Sequence, residues 1–150
     1  MFKPDIKISG GDTAISGILR TAYELPGGIY RGVVRSVSLI ETRYKTHHLA
    51  GATLTPRSHF LQRSAKSDVK QAGTQVTGRV GNPVVYAAIH EFGGIIKAKP
   101  GKYLVFQING QWIRTKQVKI PKREPLLKSA QDVQGQIEAI FGREVVIAIG

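Results

Sequence analysis

The feature that most constrains the fold is the pair Asn109-Gly110, which lies between two runs rich in β-branched and aromatic residues. The first run extends from Tyr103 to Ile108, and the second begins at Gln111. An Asn-Gly pair favours a type I′ turn, because both central positions of that turn require a positive φ. The sequence therefore predicts an antiparallel β-hairpin here. Since a lone hairpin is not stable in water, we expect the same sheet to recruit residues 69–80 and an N-terminal strand at residues 6–8.

The clearest helix precedes this hairpin. Its apolar residues recur at spacings of three and four: Ile29, Val33, Val37, Ile40 and Tyr44. This spacing is typical of an amphipathic helix with one buried face. Gly51 is the candidate residue for its C-terminal cap. An earlier helix is predicted after Asp12 or Thr13, and Pro26 would end or kink it.

The remaining segments complete an α+β pattern. Pro56 is predicted to start a short helix whose Phe60, Leu61 and Ala65 face the core. Residues 69–80 are predicted to form a solvent-facing strand. Residues 83–92 form one or two helical turns, and an amphipathic helix runs from Pro125 towards Gly142. The predicted fold class is α+β, with a long N-terminal helical region, a small antiparallel β-sheet with a β-hairpin, and a C-terminal helix. We expect a single domain over residues 1–150, with 1–11 as an N-terminal arm and 143–150 as a C-terminal strand or tail.

Composition excludes several classes of protein. No apolar run reaches the eighteen or so residues of a transmembrane helix, so we expect no membrane partner. The first twelve residues contain two acids and no apolar stretch, so no secretory signal is expected. The chain has no cysteine, which excludes disulfides, thiolate zinc sites and a cysteine nucleophile. These observations favour a protein made in a reducing cytosol.

The charge of the chain is strongly positive and unevenly placed. The formal net charge is +12, and residues 42–123 hold fifteen Lys or Arg against only Asp68 and Glu91. Such a concentration indicates a polyanionic neighbour, either nucleic acid or an acidic protein surface. The alternative is a solvated basic face without a ligand.

Residues that resemble catalytic motifs fail on spacing. A zinc hydrolase needs a second His four residues after the first, but Gly94 occupies that position after His90. A phosphate-binding loop needs four residues between Gly and Gly-Lys, whereas six separate Gly94 from Gly101-Lys102. No Gly-x-Ser-x-Gly motif occurs. We therefore predict no catalytic residue, no metal site and no cofactor, and a protein that is not an enzyme.

Nucleic-acid binding is the alternative function. Tyr103, Phe106 and Trp112 could stack on bases. The cations near them could contact phosphates or another polyanion: Lys97, Lys99, Lys102, Arg114, Lys116 and Lys119. The competing interpretation is that the aromatic residues fill the core and the lysines are solvated. No helix-turn-helix or RNA-binding motif is visible.

Three motifs, in order along the chain, resemble a known family. VVYAAIHEFGG (84–94) is similar to the Tyr-Ala-x-x-x-Glu-Phe-Gly signature of phage virion-morphogenesis and tail-completion proteins. VKIPKREPLL (118–127) resembles the family's Ile-Pro-x-Arg-Pro-Phe-Leu, and LTPRSHFL (54–61) resembles its Thr-Pro-Arg-Thr-Gly-x-Leu segment. Departures are Ser58-His59 for Thr-Gly, Glu124 inserted before Pro125, and Leu126 for Phe. The likeness spans roughly residues 28–141 by element order. The signature residues are Tyr86, Ala87, His90, Glu91, Phe92, Gly93, Gly94, Pro121, Arg123, Pro125 and Leu127.

The resemblance implies a structural protein of a tailed bacteriophage, assembled in the host cytoplasm and placed in the virion at the head–tail junction. It implies tail completion by a ring of identical subunits, hexameric where it matches the tail tube. Its expected partners are copies of itself, adjacent neck or connector proteins, tail tube proteins, and genomic DNA in the channel. We expect residues 95–119 to make contacts between subunits or with a neighbouring ring. Tyr86, Ala87, Ile89 and Phe92 would form the apolar side of a short helix packed on the sheet. His90 and Glu91 would be polar anchors for the turn or for a neighbouring subunit.

Overall fold

The computed structural model describes residues 5–8, 26–55 and 59–149. Its helices are α1 (Pro26–Thr46), α2 (Phe60–Ser64), α3 (Val85–Phe92), α4 (Pro125–Asp132) and α5 (Gln134–Ile149), with a 3₁₀ turn at His48–Ala50. Its strands are β1 (Asp5–Ile8), β2 (Lys66–Ala72), β3 (Gln75–Gly81), β4 (Gly94–Lys97), β5 (Leu104–Ile108), β6 (Gln111–Thr115) and β7 (Gln117–Ile120). The predicted α+β class is confirmed. The predicted helix after Asp12 and the predicted helix start at Pro56 lie outside the described residues.

Helix α1 is the centre of the core, as its apolar spacing predicts. Val33, Val37, Ile40 and Tyr44 are all buried on one stripe. This stripe packs on the three-stranded sheet, while α4 and α5 also pack against α1. Burying a large apolar side chain stabilises a fold by about 1.5–3 kcal/mol, so these residues organise the body of the protein. Within the described residues, no helix has the length and apolar character needed to cross a membrane.

The sheet against α1 has the antiparallel order β1-β3-β2. The N-terminal strand is therefore confirmed, but the single solvent-facing strand predicted for residues 69–80 is wrong. That segment belongs to a hairpin of two strands, and the side of β3 that carries Gly78 and Val80 is buried. A Cβ at Gly78 would lie 2.8 Å from Val33 Cγ1, so glycine lets β3 approach α1 closely.

The C-terminal region differs most from the sequence prediction. Helix α5 continues through Gly142 to Ile149, so the predicted end at Gly142 and the predicted strand or tail at 143–150 are wrong. An interior glycine costs a helix only about 1 kcal/mol, and tertiary contacts can offset that cost. Here Arg31 Nε donates to the buried Glu144 Oε2 at 2.9 Å. The guanidinium of Arg35 forms a second ion pair, with Oε1 of the same carboxylate. The geometry of this second contact is not that of a hydrogen bond.

The turn between β5 and β6 was predicted correctly, whereas the predictions for the end of α1 and for α2 were only partly correct. Asn109 (φ 49°) and Gly110 (φ 82°) both have positive φ, which confirms the predicted turn between β5 and β6. Helix α1 already ends at Thr46, so the prediction that Gly51 caps it is wrong, and Gly51 (φ 136°) ends the following 3₁₀ turn instead. Helix α2 begins only at Phe60, and its side chain is 49% exposed, so the prediction that Phe60 faces the core is wrong. Ala65, at the end of that helix, is buried as expected.

Candidate functional site

Glu91 joins α3 to α4 through two hydrogen bonds, one buried and one partly buried. Its side chain is on α3 and the residue is only 5% exposed. The backbone N–H groups of Leu126 and Leu127 donate to its two carboxylate oxygens at 3.0 and 2.9 Å. The residue preceding α4, Glu124, is left-handed (φ 53°) and makes no side-chain cap. Glu91 therefore takes the place of the missing N-cap, and its negative charge lies at the favourable end of the helix.

The backbone around Glu91 reinforces this connection. The carbonyl of His90 accepts hydrogen bonds from the N–H groups of Arg123 (3.0 Å) and Glu124 (3.3 Å). Gly93 has φ 71°, and a Cβ there would lie 2.9 Å from the backbone nitrogen of Lys122. Only glycine takes this conformation and permits this approach at low cost. We call this contact between residues 90–93 and 122–127 the junction.

Burial also shifts the pKa values of the ionisable groups at the junction. Burial raises the pKa of the Glu91 carboxyl, and the backbone N–H groups of Leu126 and Leu127 oppose that rise. Burial lowers the pKa of His90, and the positive charge of Arg123 lowers it further. His90 Nδ1 is buried without a hydrogen-bond partner among the described residues. The imidazole is therefore held in its neutral form beside the Arg123 charge.

The signature residues predicted from sequence thus converge in space. Ala87, Glu91 and Pro125 are buried, and the turn glycines hold the chain against residues 120–122. The prediction that Tyr86 and Phe92 pack α3 on the sheet is wrong, since they are 42% and 52% exposed. The polar residue of the motif lies inside and two of its aromatic residues lie outside. The helical spacing predicted that the apolar residues of α3 would be buried. Glu91 is buried instead because its carboxylate accepts the first N–H groups of α4.

A second feature projects from the junction. Strands β4 and β7 pair from Gly94↔Ile120 to Lys97↔Gln117, and β5 and β6 pair beyond them around the Asn-Gly turn. Ala98 N–H donates to Lys116 C=O at 2.8 Å, which joins the two ladders into one long hairpin. We call residues Gly94–Ile120 the arm. No residue of the arm is buried. The structure therefore separates this hairpin from the β1-β3-β2 sheet, contrary to the prediction of one shared sheet.

The arm nevertheless carries many large apolar side chains. The exposed ones are Ile95, Ile96, Tyr103, Val105, Ile108 and Trp112. Trp112 is 73% exposed and lies opposite Gln107 on the distal ladder. Phe106 is only half-buried. These side chains form no interior of their own, so the arm presents apolar surface outward.

Positive charge is interleaved with this apolar surface. All six cations predicted as contact residues are exposed on the arm, which has no Asp or Glu: Lys97, Lys99, Lys102, Arg114, Lys116 and Lys119. The Arg114 guanidinium lies 3.8 Å from the centre of the Tyr103 ring, and Lys116 Nζ lies 4.0 Å from it. Tyr103 thus binds cations of its own chain through its ring. Tyr103 was one of the aromatic residues predicted to stack on bases, but its ring is already in contact with Arg114 and Lys116.

A cluster of potential metal ligands that the sequence did not predict lies where the end of α1 and the following 3₁₀ turn meet α4. His47, His48 and Asp132 place potential metal-ligating atoms within 4.8 Å of one another. Asp132 Oδ2, however, already contacts Arg43 at 2.8 Å and His48 Nε2 at 3.0 Å, and His48 Nδ1 lies 2.7 Å from Thr53 Oγ1. A cation would compete with the Arg43 guanidinium for the same oxygen. The geometry favours a polar tie between the end of α1 and α4.

Comparison with protein-family models places this geometry in context. Residues 36–145, more than two thirds of the chain, match the phage virion morphogenesis family. The chain belongs to this family. The matched region includes the junction and the whole arm, and the resemblance seen in the sequence is confirmed. No curated protein and no solved structure matched the chain. The protein is therefore a bacteriophage protein of virion morphogenesis, with a structural role associated with the virion.

Proposed function

We propose that this protein completes the phage tail at the head–tail junction, as a subunit of a ring that contacts adjacent neck and tail proteins. The observation that carries the proposal is the arm: none of its residues is buried, yet it exposes six large apolar side chains. Six large apolar side chains exposed on one short segment exceed the scattered single residues that are usual on the surface of a monomer. A subunit that functions within an assembly requires such a surface.

A second exposed apolar surface lies on the body of the protein. It is formed by Phe60 with Val85 and Tyr86, and the Phe60 and Tyr86 rings have their centres 6.5 Å apart. A ring in a stack needs one contact to its lateral neighbour and another to the ring above or below. We assign the body surface to the lateral contact and the arm to the neighbouring ring. A lateral contact between different surfaces of identical subunits closes into a ring by rotation, here of six copies.

Nucleic-acid binding is the competing function, and the basic arm is the observation that favours it. Its six cations could release counterions from DNA. The rest of the arm supports the assembly role better, because Ile95, Val105 and Ile108 offer bases neither a hydrogen bond nor a stacking plane.

Particle size and function in assembly test the proposal together. Light scattering coupled to size exclusion, with negative-stain images, is expected to show a ring alone or on purified tails. An infection that lacks this protein is expected to accumulate unjoined heads and tails, and the purified protein should restore joining. A strict monomer that binds a DNA duplex with a steep salt dependence and restores no joining would overturn the proposal.

A further inference from the structure

We propose that the arm docks on an acidic surface of a different phage protein, and that neither a second copy of this chain nor DNA is its partner. The inference rests on the proposed function and names the chemistry of the arm's partner. It follows from a comparison of the cations on the arm with the carboxylates that each candidate partner can offer.

A second copy has too few available carboxylates. The structure describes the side chains of seven Asp and Glu residues, and five of them are engaged inside the chain: Glu41, Glu91, Glu124, Asp132 and Glu144. The other two described carboxylates are Asp68 and Glu138, which are exposed, and Glu138 accepts a hydrogen bond from Gln134 within α5. Counting also the three acids that lie outside the described side chains, Asp5, Asp12 and Glu24, a second copy offers at most five carboxylates to six exposed cations, and the chain as a whole carries +12. Like charge across an interface opposes association, so the partner must be more acidic than this protein.

DNA offers negative charge but no apolar complement. The exposed aliphatic side chains of the arm are Ile95, Ile96, Val105 and Ile108, and their burial against phosphate would bring no hydrophobic stabilisation. The Tyr103 ring is in contact with Arg114 and Lys116. A protein surface with an apolar centre and carboxylates at its rim matches both sets of side chains.

The distal part of the arm has the residue types that dominate binding energy at protein interfaces. Trp, Tyr and Arg are enriched among such residues. Trp112 and Arg114 lie on β6, and Tyr103, which immediately precedes β5, contacts Arg114 through its ring. Tyr103 holds Arg114 close to its ring, so part of this surface is ordered before the partner arrives. The lysines nearer the body, Lys97, Lys99 and Lys119, would form the polar rim.

Trp112 gives a direct readout, because it is the only tryptophan of the protein. Its exposed indole should show red-shifted fluorescence emission in the isolated protein. The protein is titrated with headless tails and with tailless heads, both purified from an infection lacking it, with a short DNA duplex, and with itself in a concentration series. We expect a blue shift only with one of the phage particles, as the indole leaves water.

Two matched variants test the role of charge. In the arm variant, Lys97→Gln, Lys99→Gln and Lys119→Gln remove three exposed cations. In the control, Lys66→Gln, Lys70→Gln and Lys128→Gln remove three exposed cations from the body. We expect the arm variant to weaken particle binding about tenfold or more and the control to change it less than about twofold. Carbodiimide coupling, which joins amines to carboxylates, should link the arm lysines to Asp or Glu of another phage protein.

Each other outcome overturns the inference. A blue shift of Trp112 emission that appears only as the concentration of the protein itself is raised would identify a second copy as the partner. Cross-links between copies of this chain would do the same. An equal shift with the DNA duplex at the same salt would identify nucleic acid. If the protein binds particles and restores joining while Trp112 emission stays unchanged, the arm is not the docking surface although the proposed function stands. If it neither binds particles nor restores joining, the proposed function itself fails.

Discussion

Glu91 shows how a single residue links two distant parts of the sequence. Its carboxylate accepts the N–H groups of Leu126 and Leu127, which lie 35 and 36 residues away along the chain. A helix N-terminus that lacks its own cap leaves buried donors without partners, and each such donor costs about 1–3 kcal/mol. The family motif around Glu91 therefore has a structural explanation that involves no catalysis.

Replacing this carboxylate should have a large effect on stability. We expect Glu91→Ala to lower the free energy of unfolding by about 2–3 kcal/mol, because α4 loses its cap, and the buried N–H of Leu126 and the partly buried N–H of Leu127 lose their acceptors. Urea unfolding measures the change. Glu138→Ala, an exposed carboxylate on α5, is the control and should change it by less than about 0.5 kcal/mol. Equal effects of the two variants would contradict the capping role.

At the scale of elements, the contact of β3 with α1 depends on a missing side chain. A Cβ at Gly78 would meet Val33 and Val37, so we expect Gly78→Ala to destabilise the protein by about 1–3 kcal/mol through overpacking. Gly135→Ala is the control, since nothing lies within 4 Å of a Cβ there, and an alanine in α5 should be neutral or stabilising by up to about 1 kcal/mol. Thermal unfolding of both variants tests this. A neutral Gly78→Ala would show that α1 and β3 can move apart freely.

The tie between α1 and α4 should make stability depend on acid. The hydrogen bonds from Arg43 and His48 lower the pKa of Asp132 below its ordinary value of 3.8. A carboxyl with a lowered folded-state pKa contributes stability above its ordinary pKa, and this contribution disappears as the pH falls through the folded value. We expect wild type to exceed Asp132→Asn in stability near neutral pH, and the difference to shrink as the pH falls below 3.8. Urea unfolding at a series of pH values measures it, and a constant difference would contradict the role of the charge.

Local patterns in the sequence predicted the elements they encode directly. The apolar spacing up to Tyr44 gave α1, and Asn109-Gly110 gave the distal turn, because both signals depend on near neighbours. The burial of Glu91 and the contact of His48 with Asp132 depend on residues brought together by folding, which spacing does not encode. The extension of α5 past Gly142 was missed for the same reason, since Glu144 and its arginine partners are far apart in sequence. The positive charge of residues 95–119 predicted that this region makes contacts with a partner. That none of its residues is buried could be seen only in the structure.

At the scale of the whole molecule, the protein divides into a packed body and an exposed arm that meet at the junction. The core cluster is drawn from α1, the 3₁₀ turn and the segment after it, strands β2 and β3 and the C-terminal helices, and no arm residue contributes to it. Stability and assembly should therefore be separable by mutation. The junction connects the two, since residues 90–93 and 122–127 hold both ends of the arm against the body.

Shortening the arm tests this division. Replacement of residues 99–115 by Asn-Gly keeps Ala98 and Lys116, whose backbones already pair, and closes the ladder with the turn that the arm uses at its own tip. Because the removed segment contains no buried residue, the free energy of unfolding should change by less than about 1 kcal/mol and ring size should stay the same. Head–tail joining by the shortened protein should be lost. Val85→Asp, on the body surface, should give the opposite result, with a folded protein that no longer forms rings. Loss of the ring on shortening the arm, or full joining without it, would show that the two surfaces are assigned the wrong way round.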